Sequence, residues 1–435
     1  MILEFGKKML IKIFLGITIT LFYSACGSSE SKKNIDTIKL KTSSSSLSRT
    51  VKQNVDANST NALVQGLNTF AFDLYSELKK GNEGENLFFS PLSISTALAI
   101  VYPGAVGETK SEMVTTLHFS MEDAELLDTF NALDASLNKE NDNYIFKGIN
   151  ALWPDETLEF KSTYLDAIMQ NFGAVLYPLD FINNPEQSRL TINEWVEEQT
   201  NDKIVELLKE GDIKDTTRLV LTNAVYFNGK WQYEFDEEDT KIEPFYLLNN
   251  SSINIQMMNQ TTHINYAESN NCKMVELPYK DSNASMLIVL PNEGFWDDFI
   301  NDFNFTVYSS LVEQMYVEKV ELKLPKFKVE TPQYSLKTSL KELGMAEAFE
   351  DTADFSKITN DSIKIGDVLH KAYISVDEKE TEAAAATAVV TVSTVALPIE
   401  EEIKIFHVDQ PFIIFLQDKT SDQILFMGEI LNPSI

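Results

Sequence analysis

Residues 378–394, Glu-Lys-Glu-Thr-Glu-Ala-Ala-Ala-Ala-Thr-Ala-Val-Val-Thr-Val-Ser-Thr, put helix formers and strand formers into one seventeen-residue segment. Glu382 and the run Ala383, Ala384, Ala385 and Ala386 have high helix propensity. Val389, Val390, Thr391, Val392 and Thr394 are β-branched and suit a pleated strand. The conflict resolves at period two. Thr381, Ala383, Ala385, Thr387, Val389, Thr391 and Ser393 fall on one side, and all are small or β-branched. Glu380 and Glu382 fall on the other. One face is fit to slide between two existing strands while the other stays in water. The chemistry open to such a segment is conformational: loop in one state, central strand in another.

Signatures of active chemistry are absent. The chain has no Gly-x-Ser-x-Gly, His-Glu-x-x-His, Gly-x-x-x-x-Gly-Lys-Ser/Thr or Cys-x-x-Cys. Its four histidines, His118, His263, His370 and His407, lie far apart, and none has a second ligand at metal spacing. No catalytic residue, cofactor or metal is expected. The net charge of −30 disfavours nucleic acid, because no basic face is offered to phosphate. It favours solubility and the approach of basic partners.

The elements that must position the segment lie in a body placed at residues 61–435. Apolar residues at helical spacing over 62–78 (Leu63, Leu67, Phe70, Leu74, Leu78) predict a helix stopped by Gly81. Residues 92–101, after Ser90-Pro91, read as a buried helix, and 188–208 as a long one. Strands are predicted at 220–228, 286–291, 319–325, 403–406, 412–417 and 424–430. Helices and strands do not alternate as βαβ units, so the expected class is α+β with a large mixed sheet.

The N-terminus reads as a targeting signal at residues 1–25. Lys7, Lys8 and Lys12 form or border a basic region, residues 13–22 are apolar, and Ser24 and Ala25 precede Cys26. Ser-Ala-Cys-Gly resembles a bacterial lipobox, cleaved before Cys26, which is then lipidated; Tyr23 stands where leucine is usual. A plain secretory signal ending near Ala25 is the alternative. A lipid anchor implies export across the inner membrane and a place in the periplasm or on the cell surface, tethered rather than spanning. Residues 26–60 are rich in Ser, Asn, Lys and Thr and read as a flexible tether with a reach of roughly 30 Å. Cys272, the other of two cysteines, reads as a packing residue.

At the opening segment the chain resembles the serpins. Their loop hinge reads Glu-x-Gly-Thr-Glu-Ala-Ala-Ala-Ala-Thr, matched by Glu378 and by Thr381 to Thr387, with Lys379 between and Glu380 in place of the glycine. The substitution removes backbone freedom and implies slower insertion. The likeness runs through the body. Residues 86–94 resemble the opening of helix B, 104–109 the turn before helix D, and 222–231 the central strand beside the insertion gap. Residues 276–279, 324–327, 409–415 and 424–428 match as well. The resemblance implies the serpin fold: a large central mixed sheet, further sheets, about eight or nine helices and an exposed reactive-centre loop.

It also implies sites. Ser90, Ser93, Asn223 and His370 fall at the family's shutter, a hydrogen-bonded cluster under the opening of the sheet. Lys326 and Glu378, beside Trp231, fall at the breach above it. The implied activity is suicide inhibition: a protease cleaves the loop, forms an acyl-enzyme, and is carried off as the upstream segment enters the sheet. Counting seventeen residues from Glu378 puts the reactive bond at Thr394–Val395, with Val395–Ala396 and Ala396–Leu397 as alternatives. No Arg or Lys lies between Glu380 and Lys404, so elastase-like or subtilisin-like serine proteases, or cysteine proteases, are the expected partners. Residues 120–128 are acidic, which opposes heparin-type activation. A monomer is expected. A serpin that no longer inhibits, and a surface binding lipoprotein, are the alternative readings.

Overall fold

The computed structural model describes residues 40, 42–138, 140–141, 143–381 and 401–434. Its helices are α1 (Ala57–Lys80), α2 (Pro91–Val101), α3 (Gly107–Thr116), α4 (Asp123–Leu137), α5 (Ser162–Phe172), α6 (Pro185–Gln199), α7 (Trp296–Asp302), α8 (Phe305–Glu313) and α9 (Lys337–Glu342). Asp56 starts α1 by accepting from the Asn58 N–H at 2.9 Å, a side-chain cap that supplies a missing helical partner. Ser90 caps α2 in the same way through the Ser93 N–H, with Pro91 in the first turn. Every residue of α2 is buried, so this helix forms the floor of the fold.

The strands are β1 (Leu87–Phe89), β2 (Glu140–Asn141), β3 (Tyr144–Pro154), β4 (Leu219–Lys230), β5 (Lys241–Tyr246), β6 (Ser252–Glu268), β7 (Cys272–Pro278), β8 (Ala284–Pro291), β9 (Tyr316–Pro325), β10 (Phe327–Glu330), β11 (Tyr334–Ser335), β12 (Val368–Val376), β13 (Glu380–Thr381), β14 (Lys404–His407), β15 (Phe412–Asp418) and β16 (Gln423–Ile430). Among the described residues they make two mixed sheets. A nine-stranded sheet runs β1-β16-β15-β8-β7-β6-β9-β14, with β5 also on β6. A seven-stranded sheet runs β10-β12-β4-β3-β2, with β11 also on β12 and β13 on β4. β15 and β16 are buried along their whole length and read as continuous apolar runs for that reason.

The parallel pair β12/β4 decides the character of the seven-stranded sheet. It is zipped only from Val368↔Leu221 to Ala372↔Val225. Above that level the two strands are not paired with each other among the described residues. β13 occupies the top of the notch, antiparallel to β4, with Glu380 opposite Lys230 and Thr381 opposite Gly229.

Three expectations need correction. The helix predicted at 188–208 ends at Gln199. Asn201 and Asp202 take left-handed backbone (φ 51° and 60°), and the chain turns back. Ile204, Leu207 and Leu208 reach the same core as Ile192 and Val196 from this return loop, which mimics a continued helical period. The turn at 104–109 leads into the third helix, not the fourth; the acidic 120–128 stretch is the one that enters α4. Finally, residues 43–52, assigned to the flexible tether, lie against the body. Ser43 bridges Leu176, and Arg49 pairs with Asp134 at 2.6 Å. The ordered body therefore begins before residue 61.

Candidate functional site

Three residues after β12 make a turn, 377–379, whose carbonyls are all held by the chain leaving β4. Trp231 donates its indole N–H to the Asp377 carbonyl (2.9 Å) and its backbone N–H to that of Lys379 (3.0 Å). The Phe235 N–H donates to the Glu378 carbonyl at 2.8 Å. The Glu378 side chain is 8% exposed; it accepts from Lys326 Nζ at 2.7 Å and from Thr240 Oγ1 at 2.8 Å. Burial pushes the Glu378 carboxyl up, but these hydrogen bonds outweigh it and hold it below the usual carboxylate range. Lys379 reaches outward to Glu237 at 2.7 Å. Trp231 is buried and stacks on Tyr279, with centroids 4.7 Å apart and planes 12° from parallel. That ring explains Gly229: a Cβ there would sit 2.7 Å from Tyr279 Cδ1. The structure thus brings together Lys326, Glu378 and Trp231, as the resemblance implied. Thr240 was not foreseen, and no sequence signal marks it.

Glu380 occupies an extended strand position. The bend between β12 and β13 falls at 377–379 instead. A glycine's extra conformations are therefore not needed at 380 in this state.

The second constellation lies below the notch. Asn223 on β4 and His370 on β12 are register partners. His370 Nε2 accepts from the Ser90 backbone N–H at 3.2 Å, so the proton sits on Nδ1, which donates to Asn223 Oδ1 at 2.6 Å. The Asn223 amide then donates to Ser93 Oγ and to Asn150 Oδ1, the latter at 2.5 Å. Ser90 Oγ donates to the Leu425 carbonyl of β16 at 2.6 Å. Burial pushes His370 down to about 3, so the ring is neutral. All four predicted shutter residues meet here. Asn150 was missed; its signal is an amide inside a strand that continues Ala151-Leu152-Trp153, where only a partnered polar group is tolerated.

The outer face of β4 is not open to water at this level. Val220 and Ala224 share a core with Ile192 and Val196 of α6 and with Trp153. The expectation that one face of an inserting strand stays wet is therefore corrected for the lower sheet.

The remaining predicted positions lie outside the described residues. These are hinge residues Glu382, Ala383, Ala384, Ala385, Ala386 and Thr387, reactive-bond residues Thr394, Val395, Ala396 and Leu397, and Cys26. Cys272 is buried, and burial pushes its thiol up, away from reactivity. Among the described residues no cluster of His, Cys, Asp or Glu side chains is arranged to hold a metal ion, and no helix is long and apolar enough to cross a membrane.

The comparisons agree with this architecture. The family model described as serpin (serine protease inhibitor) matches residues 65–433. An uncharacterized serpin-like protein of Methanosarcina acetivorans is 40% identical over 383 residues, covering 87% of this chain and 90% of that one. The leukocyte elastase inhibitor of Bos taurus is 37% identical over 381 residues, 84% of this chain and 97% of that protein. Human thyroxine-binding globulin, solved in complex with thyroxine, superposes with a TM-score of 0.79 at 28% identity, over 87% of this chain and all of that one. A split parallel strand pair, a polar cluster beneath it, and a sequence match across nearly the whole body lead to one conclusion: the chain belongs to the serpin family.

Proposed function

We propose that this serpin inhibits proteases by loop cleavage followed by strand insertion. The observation that carries it is β13, a two-residue strand already seated antiparallel on β4 at the top of the notch. Carried on, its register sets Ala383 opposite Phe227, Ala385 opposite Val225, Thr387 opposite Asn223 and Val389 opposite Leu221. Those β4 residues are buried, and the incoming partners are small or β-branched. Ala384, Ala386 and Ala388 would pass on the other face, toward α6.

In the proposed reaction the protease nucleophile attacks the carbonyl carbon of Thr394. The Thr394–Val395 bond breaks, the new amine takes the proton, and an acyl ester links Thr394 to the enzyme. Residues 382–394 then enter the sheet with the enzyme attached. Val395–Ala396 and Ala396–Leu397 remain alternative bonds. Small residues and the lack of Arg or Lys favour elastase-like or subtilisin-like enzymes over trypsin, and the bovine relative carries the name of an elastase inhibitor. The leader and Cys26 support export and a lipid anchor; an intact mass matching a lipidated Cys26 start would agree, and an unmodified N-terminus elsewhere would oppose it.

Incubation with elastase, subtilisin, papain and trypsin, followed by denaturing electrophoresis, tests the inhibitory claim. A detergent-resistant adduct and a fragment beginning at Val395 are expected. Turnover without any adduct would leave the fold and favour a serpin that no longer inhibits.

A further inference from the structure

We propose that residues 43–52 are a strap that holds the seven-stranded sheet closed and sets the barrier to loop insertion; the proposal rests on the insertion reading above. The strap is bonded on both sides of the joint that insertion must shear. On one side is the sheet. Residues 176–179 extend it past β3, through Leu152↔Leu176 and the Leu179 N–H to the Pro154 carbonyl at 3.0 Å. Ser43 extends it once more: its N–H donates to the Leu176 carbonyl at 2.9 Å, and the Leu176 N–H returns the bond at 3.1 Å. Leu40 and Tyr177 both pack against the α6 core.

On the other side are the helices. Ser45 Oγ donates to Asp166 of α5 at 2.5 Å, and the Thr50 N–H to the Gln170 carbonyl at 3.4 Å. Arg49 pairs with Asp134 of α4 at 2.6 Å and lays its stem 3.3 Å from where a Gly173 Cβ would stand. The Lys52 N–H donates to Asn131 Oδ1 at 2.7 Å, while its ammonium pairs with Asp128 at 2.9 Å. Asn131 in turn caps the end of α5 through the Gln170 and Asn171 carbonyls. α5 is tied to the floor, since the Tyr164 hydroxyl donates to the Ile100 carbonyl at 3.1 Å, and α4 packs on α1.

Admitting one strand widens the β4/β12 gap by about 4.8 Å, one strand spacing. β3 and residues 176–179 ride with β4, whereas α2 is bonded through Ser90 to His370 of β12 and to Leu425 of β16, and its Ser93–Asn223 bond to β4 is one that insertion must break. Ser43 and Ser45, two residues apart, then hold partners that must separate. Arg49 also lines a cavity of about 280 Å³ that reaches Thr96 and Asn150, so the strap touches the pocket beside the shutter amide. The acidic flank of α4 is what a strap carrying Arg49 and Lys52 requires.

The test uses the full chain and follows how fast the uncut protein, on mild warming, loses loop cleavability and gains heat resistance. Arg49→Glu with Lys52→Glu is expected to convert about tenfold faster than wild type, a factor equivalent to about 1.4 kcal/mol in the barrier. Adding Asp134→Arg and Asp128→Lys should restore the rate to within about twofold, a rescue that general loss of stability would not give. Lys52→Glu alone, at a half-exposed pair that leaves folding intact, should speed conversion by about threefold. Loop-cleaved forms of every variant should melt alike. Equal conversion rates in wild type and Lys52→Glu, with wild type still trapping its protease, would overturn the strap and leave the inhibitory reading standing. Wild type that neither traps a protease nor gains heat resistance on cleavage would overturn the inhibitory reading instead.

Discussion

At the scale of the residue, the shutter is a proton ledger as much as a packing cluster. His370 is neutral because the fold desolvates it and because a backbone N–H occupies Nε2, leaving no site for a second proton. Its folded pKa, about 3, lies below the unfolded value near 6.5. The unfolded chain binds the extra proton between those limits, so stability is full above pH 6.5 and is lost as pH falls toward 3. From pH 7 to pH 5 the loss from this group is about 2 kcal/mol. Urea unfolding of fresh uncut protein at the two values reads it, and His370→Gln should flatten that part of the slope. A slope unchanged by the substitution would remove the burial argument. Thr240, outside any strand, shows where the sequence is silent at this scale. Ser90, Ser93, Asn223 and His370 were legible through a family pattern, while Asn150 carried only the weak mark of an amide within a strand, which names no partner.

At the scale of the element, β13 does the most to connect sequence with mechanism. The alternation over residues 381–393 is read from the chain alone, and all of it but Thr381 lies outside the described residues. α1, α2, β4, β15 and β16 were legible because their apolar runs coincide with burial. What the sequence hid was set by contacts made elsewhere. α6 stops at Gln199 because a left-handed pair turns the chain, while Leu207 and Leu208 keep the helical rhythm. Residues 43–52 look like a tether because most of their bonds go to α4, α5 and Leu176, which lie far away in the sequence. The register of β13 sharpens one test. Thr387 would arrive opposite Asn223, between it and His370, where the 2.6 Å bond now lies. Thr387→Arg would bring a charge to that buried position, against a desolvation cost of several kcal/mol. The variant should be cleaved at the wild-type rate yet form adduct at less than about a tenth of the wild-type yield. Undiminished adduct would mean that residue 387 does not enter the sheet.

At the scale of the whole molecule, two features pull against each other. A net charge of −30 loosens a compact body by self-repulsion, and among the described residues β4 and β12 pair with each other only from Val368↔Leu221 to Ala372↔Val225. The uncut chain is held by local latches: the Glu378–Lys326 pair, the Asn223–His370 bond and, as proposed, the strap. None of these is a large term, and on the inhibitory reading proposed above the uncut state is kinetically trapped rather than the lowest state available. Insertion of residues 382–394 would add ladder bonds on both β4 and β12. Ten net hydrogen bonds at about 1 kcal/mol each give about 10 kcal/mol. For a body of this size, with an unfolding entropy of about 2.1 cal/mol/K per residue, that gain raises the melting temperature by roughly 10–15 °C. A heat ramp on uncut and loop-nicked protein measures it directly, and far-ultraviolet circular dichroism follows the same samples. Nicked protein should melt at the higher temperature, with cleavage confirmed between Thr394 and Leu397. Should the nicked chain melt with the uncut one, the notch is not a vacancy for the loop, and β13 is merely the end of a surface turn.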